Sequence, residues 1–170
     1  MKNYVLGFLF FGLTNLMFAQ DELVTININD HALISTHVNN TNELYLNSMT
    51  DIDMSKKILK LQDIVANYNI QLSKVYRKNS LSTYTVNFKE GNNKLIAVYD
   101  RDGQLISSQE KYQSIKLPYS LSSNLIKLNR GWGIEQVFCN IEYNKNVDAQ
   151  IVYKVILKKG KETKKITIGA

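Results

Sequence analysis

The sequence predicts an α+β fold: one antiparallel sheet with two helices packed on one face and the other face open. Two observations lead to this prediction. Amphipathic helical stripes are each followed by strands in which apolar and polar residues alternate, and this helix-then-meander unit occurs twice in the chain. Strands joined by short turns are antiparallel, so the helices that precede them share one face of the sheet.

Each unit opens with a predicted helix. In the first, apolar residues recur at helical spacing between Met54 and Tyr68. In the second, Pro118 stands at the first turn and Gly131 at the end, because proline favours helix starts and glycine favours helix ends. The predicted buried stripe of this second helix is Leu121, Leu125, Leu128 and Trp132.

Period-two alternation predicts the strands, as in Tyr84, Val86 and Phe88, which alternate with polar residues. The first unit is predicted to hold four strands and the second unit three. Their bounds are 70–76, 82–89, 94–100 and 104–112, then 133–143, 149–159 and 162–168. Turn-forming pairs such as Asp102-Gly103 separate consecutive strands.

A sequence repeat links the two units. The segment from Tyr84 to Gly91 resembles the segment from Tyr153 to Gly160, at an offset of 69 residues. Upstream, 69–76 resembles 133–138 at an offset of about 62 to 64 residues, so we predict an insertion of up to about seven residues at 144–148. The predicted repeats are residues 54–112 and 117–168 of a domain spanning 54–170.

The N-terminus predicts export. Lys2 precedes a mostly apolar stretch of 15 residues from Tyr4 to Phe18, and Ala19 is a small residue before the predicted cut at Gln20. The stretch is shorter than the roughly 20 residues of a membrane span, although an uncleaved anchor is the alternative. We therefore expect a signal peptide at 1–19 and a periplasmic or secreted chain. Residues 20–53 are predicted to be a polar, partly irregular leader with one strand candidate.

Composition narrows the function classes. The 170 residues include one cysteine and two histidines, which excludes a disulfide scaffold and a multi-cysteine zinc module. The formal net charge is +6, and the lysines are concentrated after residue 144. Export argues against a nucleic-acid partner. We interpret these lysines as a solvated strand edge that resists aggregation, with an anionic envelope polymer or an acidic protein surface as alternatives.

A family resemblance enters through the run from Leu95 to Ile106, followed by Leu117-Pro118 and the strand after Trp132. These residues resemble PepSY-like proteins, also described as β-lactamase-inhibitor-like: small exported proteins of Bacteroidetes, here of the flavobacterial type. The resemblance covers about residues 54–168. It implies tandem helix-plus-sheet units and an exported binding or inhibitory module without catalytic residues.

Few residues offer chemistry. Asp100 and Asp102 begin a calcium-loop pattern, but Lys111 occupies the position of its bidentate glutamate, so we predict an ordinary turn. His31 and His37 are predicted to be surface or capping residues. Cys139 shares its strand phase with apolar residues and is predicted to be buried, as is Trp132. A nucleotidyltransferase activity is not expected, because no glycine-rich loop opens a helix.

The outward strand positions are the predicted partner-binding site: Phe138, Asn140, Val152, Lys154, Ile156, Thr85 and Asn87. An outward aromatic residue and aliphatic residues beside lysines exceed what a solvated face requires. The sequence thus predicts an exported, non-enzymatic binding module, an inhibitor or modulator of an envelope protein, with no cofactor and no metal. The alternative is a small-ligand or ion-sensing envelope protein that uses the acidic turn. Dimerisation or coverage by the leader would also explain the face.

Overall fold

The computed structural model describes residues 23–28, 42–49, 53–78 and 82–170. The predictions made for the signal peptide, for most of the leader and for both histidines lie outside these residues. No helix in the described ranges is long and apolar enough to cross a membrane.

The described residues form one mixed sheet of seven strands and three α-helices. In chain order the elements are β1 (Leu23–Asn27), α1 (Glu43–Asn47), α2 (Lys56–Ala66), β2 (Tyr84–Glu90), β3 (Asn93–Tyr99), β4 (Leu105–Gln113), α3 (Tyr119–Leu128), β5 (Gly133–Asn144), β6 (Val147–Lys159) and β7 (Glu162–Gly169). The strands lie side by side in sequence order. The prediction of a wholly antiparallel sheet is corrected at one edge, where β1 runs parallel to β2. The strand candidate in the leader is confirmed as β1.

The predicted strand at 70–76 is wrong. Ile70–Leu72 form a single 3₁₀ turn in which the side chain of Asn69 accepts a hydrogen bond from the N–H of Gln71 at 2.9 Å. An asparagine side chain that bonds the local backbone favours a turn over an extended strand. Ile70 is buried all the same, so its apolar character reflects core packing.

The order helix, strand, strand, strand occurs twice, as α2-β2-β3-β4 and α3-β5-β6-β7. The sequence match at offset 69 nevertheless joins β2 to β6, which hold different places in that order. Its upstream part joins the 3₁₀ turn to β5. The insertion predicted at 144–148 is instead the tight turn between β5 and β6, where Asn146 has a φ of 71°. The repeat is therefore one of element order, and the residue alignment reflects the shared alternation of strands.

The core lies between the sheet and the helices α1 and α2. Ile58, Leu61 and Val65 form the buried stripe of α2, as its spacing predicts. The hydroxyl of Tyr99 on β3 donates to the carbonyl oxygen of Val65 at 2.7 Å and fixes α2 to the sheet. From α1, Tyr45 enters the same core, and its ring meets that of Tyr143 edge-on at 5.0 Å.

The predicted stripe of the second helix is partly wrong. Leu125 is buried and Leu121 is half-buried, but Leu128 is 75% exposed. The helix ends at Leu128. Asn129 caps this end, because its side-chain Nδ2 donates to the carbonyl oxygen of Leu125 at 2.7 Å. Trp132 thus lies beyond the helix, half-buried against the core.

Candidate functional site

The outer face is the side of the sheet to which Phe138 points, opposite the buried side chains of Val137 and Cys139. On β5 and β6, Phe138 pairs with Lys154 and Asn140 pairs with Val152. Ile156 follows Lys154 by two residues and so lies on the same face. Five of the seven predicted site residues are thus neighbours. Phe138, Asn140, Val152 and Ile156 are half-buried, and Lys154 is exposed.

Thr85 and Asn87 do not join this group. They lie on β2, and β3 and β4 separate them from β5 by about 14 Å at the usual strand spacing. Asn87 is also only 6% exposed. Its side-chain oxygen has no hydrogen-bond partner among the residues described. The prediction that Asn87 offers an accessible binding group is therefore wrong, and Thr85 is half-buried.

Sequence reasoning missed a row of lysines on the outer face, here called the lysine row: Lys89, Lys94 and Lys111. Lys89 lies directly opposite Lys94, and Lys94 lies directly opposite Lys111. All three are exposed. Like charges directly opposite each other on neighbouring strands are destabilising. The tight Gly91-Asn92 turn could have predicted the pairing of Lys89 with Lys94, because a short turn determines the register of the two strands that it joins.

No ion pair offsets the lysine row within the described part of the chain. The ion pairs found there are Lys60–Glu90, Arg101–Asp102 and Lys158–Glu135. Glu90 follows Lys89 but points to the helix side, where its carboxylate meets Lys60 of α2 at 2.9 Å. The cationic charge of the row is therefore directed at solvent.

The lysine row adjoins the predicted site. Lys111 pairs with Asn140 on β5, and Asn140 pairs with Val152 on β6. The row therefore continues directly into the half-buried residues around Phe138. At the other end of the face, a polar depression of about 340 Å³ is lined by side chains that include Glu142 and Asp148. The outer face thus has a cationic, partly apolar half and an acidic end.

A buried carboxylate lies on the opposite side of the sheet. Glu110 is 1% exposed, and its two oxygens accept hydrogen bonds of 2.7 to 2.9 Å from Tyr45, Ser108, Tyr112 and Gln62. Burial raises the pKa of this carboxyl, and the four hydrogen bonds oppose the shift. The sequence indicates this burial, because Glu110 is a charged residue at one of the alternate positions of β4 that face the core, between Ser108 and Tyr112.

Cys139 is confirmed as a core residue. Its side chain is fully buried, and burial, with the nearby charge of Glu110, raises the pKa of the thiol to about 12. A thiol nucleophile needs a lowered pKa and access to solvent. Neither condition holds here, so the geometry gives Cys139 a packing role.

The acidic turn is used by the backbone. Oδ1 of Asp100 accepts hydrogen bonds from the N–H groups of Asp102 and Gln104 at 2.9 and 2.8 Å, and Gly103 has a φ of 83°. This is the turn predicted from the Asp-Gly pair. No group of three or more potential metal-binding side chains occurs among the residues that the structure describes.

Comparison with protein-family models, with curated proteins and with solved structures found no significant match to this chain.

Proposed function

We propose that the chain is an exported, non-enzymatic binding module whose outer face binds an anionic, partly apolar surface of an envelope protein. We further propose that binding inhibits or modulates that envelope protein. The arrangement it requires is the one that the sequence predicts, with the helices on one face and the other face open. The resemblance to PepSY-like proteins implies a binding module of this kind, and we include membership of that family in the proposal.

The lysine row is the observation that carries the proposal. Two successive like-charge pairs across β2, β3 and β4 oppose folding, and among the described residues no carboxylate relieves them. An anionic partner would relieve this repulsion on binding, while the exposed lysines would steer its approach. The same charge would weaken the complex as salt is added.

The neighbouring apolar residues supply the rest of the surface. Phe138, Val152 and Ile156 lie on two adjacent strands, with Lys154 between them. Protein interfaces commonly combine an apolar centre containing aromatic residues with a polar rim. The half-buried residues would provide the centre of such an interface, and the lysines its rim.

Two groups with raised pKa values are buried, and their burial supports a non-enzymatic role. Glu110 and Cys139 have raised pKa values, but both are enclosed by the core, where a substrate cannot reach them. Candidate catalytic groups need both a tuned pKa and contact with a substrate. On the outer face the exposed groups near Phe138 are lysines and amides, which suit recognition, and the carboxylates of Glu142 and Asp148 lie at its acidic end.

A crosslinking pull-down tests the proposal. The bait is the chain from the predicted cleavage site Gln20 onward, and the binding variant is Phe138→Ala with Lys154→Glu. The matched control is Leu59→Ala with Lys56→Glu, the same types of change on the exposed surface of α2. We expect one envelope protein to be recovered by the wild type and the control, and lost with the binding variant.

Purified partner then gives a quantitative check. We expect Kd to rise at least about tenfold for the binding variant, and to rise with ionic strength for the wild type. Equal recovery by the wild type and the binding variant would show that the outer face is not the binding surface. Loss with both variants would indicate a folding defect and would be checked by thermal unfolding.

A further inference from the structure

The second candidate surface is the edge of the sheet at β7. In the described part of the chain this strand pairs with β6 and with no other strand. An edge strand presents backbone N–H and C=O groups that can pair with another chain. The surface lies on the last strand of the sheet, away from the lysine row on β2, β3 and β4.

The register identifies which backbone groups are available. The N–H of Ala170 donates to the carbonyl oxygen of Ile151 at 3.0 Å, so this pair is a hydrogen-bonded pair of the antiparallel ladder. Such pairs alternate along an antiparallel strand. The N–H and C=O groups of the intervening residues therefore point away from β6. These residues are Thr163, Lys165, Thr167 and Gly169, and all four are exposed.

An apolar groove runs along the helix side of this edge. Leu121, Leu125 and Leu128 of α3 form one wall, and Ile166 and Ile168 of β7 form the other, around a volume of about 370 Å³. Asn124, Asn129 and Lys164 also line the groove, and Nζ of Lys164 donates to Oδ1 of Asn129 at 2.9 Å. Exposed apolar side chains at a groove are typical of an interaction site. The groove is placed to receive alternate side chains of a strand that pairs with β7.

The charge of the edge selects the occupant. Lys159, Lys161, Lys164 and Lys165 surround one acidic residue, Glu162. A second copy of β7 paired antiparallel about its centre would bring Lys165 of both copies to opposite or diagonal positions, which is unfavourable. An acidic strand would instead place a carboxylate beside Lys165 on the outer side, within the positive field of the neighbouring lysines.

We infer that the β7 edge and its groove bind an extended acidic segment of a partner protein by strand addition. The segment alternates apolar residues, which enter the groove, with Asp or Glu, which face Lys165 on the outer side. The same lysine disfavours pairing with a second copy of the chain. This inference goes beyond the outer-face proposal and does not depend on it.

A defined peptide tests the inference. The probe is a peptide of about eight residues in which Val or Ile alternates with Asp or Glu, titrated calorimetrically into the chain from Gln20 onward. The first control peptide has the same composition with the apolar residues grouped together. The second has N-methyl groups on the residues whose N–H groups would face β7. We expect each control to bind at least about tenfold more weakly.

Two pairs of protein variants localise the binding. Thr167→Pro removes an outward N–H that the wild-type chain offers, whereas Thr167→Ala keeps it. Leu128→Glu puts a charge in the groove, whereas Leu128→Met keeps it apolar. We expect the proline and glutamate variants to lose the peptide and their controls to retain it. Phe138→Ala with Lys94→Glu, on β5 and β3 and so away from β7, should change the affinity by less than about threefold.

Four results would overturn the inference. Equal binding of the alternating and grouped peptides would show a purely electrostatic attraction. Loss of the peptide with Phe138→Ala and Lys94→Glu, in a folded protein, would place it on the outer face. If the peptide does not bind, the lysines only protect the edge from pairing. If light scattering shows a dimer that Thr167→Pro dissociates, the occupant of the edge is a second copy of the chain. If Thr167→Pro does not fold, the Leu128 pair and the N-methyl peptide decide the question.

Discussion

The hydroxyl of Tyr45 donates a hydrogen bond of 2.7 Å to Oε1 of Glu110, and so joins α1 to β4 across 65 residues. Both side chains are fully buried. A buried carboxylate that accepts four hydrogen bonds holds its donors in one arrangement, because each donor would otherwise lose a partner in a medium without water. The short helix before the predicted domain is consequently part of the core.

Tyr45→Ala tests whether α1 belongs to the folded unit. We expect it to lower the free energy of unfolding by about 3–5 kcal/mol, because it removes a large buried ring and one donor to Glu110. The control is Leu44→Ala, which truncates an exposed residue of the same helix and should change stability by less than about 0.5 kcal/mol. Urea unfolding measures both. Equal effects would mean that residues 42–49 contribute little to the core and belong to the polar, partly irregular leader predicted from the sequence.

Glu110→Gln tests the pH dependence of stability. Burial raises the pKa of Glu110 in the folded state above its unfolded value of about 4.3. The native protein therefore holds this proton more tightly than the unfolded chain, so the free energy of unfolding decreases as pH rises from about 4.3 through the raised pKa. Urea unfolding across this range should show the decrease in the wild type and a smaller one in Glu110→Gln.

The control for this measurement is Glu162→Gln, at an exposed position of β7, which should retain the wild-type slope. A wild-type stability that increased with pH through the same window would mean that the hydrogen bonds outweigh the cost of burial. Glu110→Ala should be the most destabilising change at this position, by about 3–5 kcal/mol, since it leaves four buried donors without their acceptor.

Lys94→Glu tests the lysine row. The substitution replaces two like-charge cross-strand pairs with two opposite-charge pairs, so we expect stability to increase by about 0.2–1 kcal/mol at low salt. The gain should shrink at high salt because exposed charges are screened. Thermal unfolding at two salt concentrations measures it, with Lys56→Glu on α2 as the control. A loss of stability would contradict the register that places Lys94 between Lys89 and Lys111.

The outer-face proposal adds a second expectation for the same variant. Lys94→Glu should bind the anionic partner more weakly while being the more stable protein. A change that improves stability and impairs binding is typical of residues retained for function.

Cys139 should be unreactive in the folded protein. Its thiol is buried with a pKa of about 12, so thiolate is scarce and reagents cannot reach it. At pH 8 we expect a thiol reagent to label the native chain only as fast as the chain unfolds. Val147→Cys adds an exposed second thiol and should give one rapid and one slow phase. Rapid labelling of the wild type would contradict the core position.

Patterns within short segments of the sequence predicted most of the helices and strands. Alternation located β2 through β7 to within a few residues, because each of these strands buries one face and exposes the other. The spacing in α2 predicted its buried stripe for the same reason. The predicted strand at 70–76 failed because the side chain of Asn69 stabilises a turn, which outweighs apolar content in so short a segment.

The candidate site was predictable in part. Alternation alone placed Phe138, Asn140 and Cys139 on their correct faces. It could not show that Asn87 is buried, because burial depends on residues distant in sequence. Nor could it show that Lys89, Lys94 and Lys111 form one row, because that depends on the register across three strands.

The sequence by itself determined the α+β class, the positions of the antiparallel strands and the face to which each strand residue points. These properties follow from periodicity within one element and the turns beside it. Tertiary structure alone decided the parallel pairing of β1 with β2, the burial of Glu110 under Tyr45 and Gln62, and the adjacency of three lysines. Each of these depends on contacts between residues distant in sequence, whose free energy is realised only when the whole sheet forms.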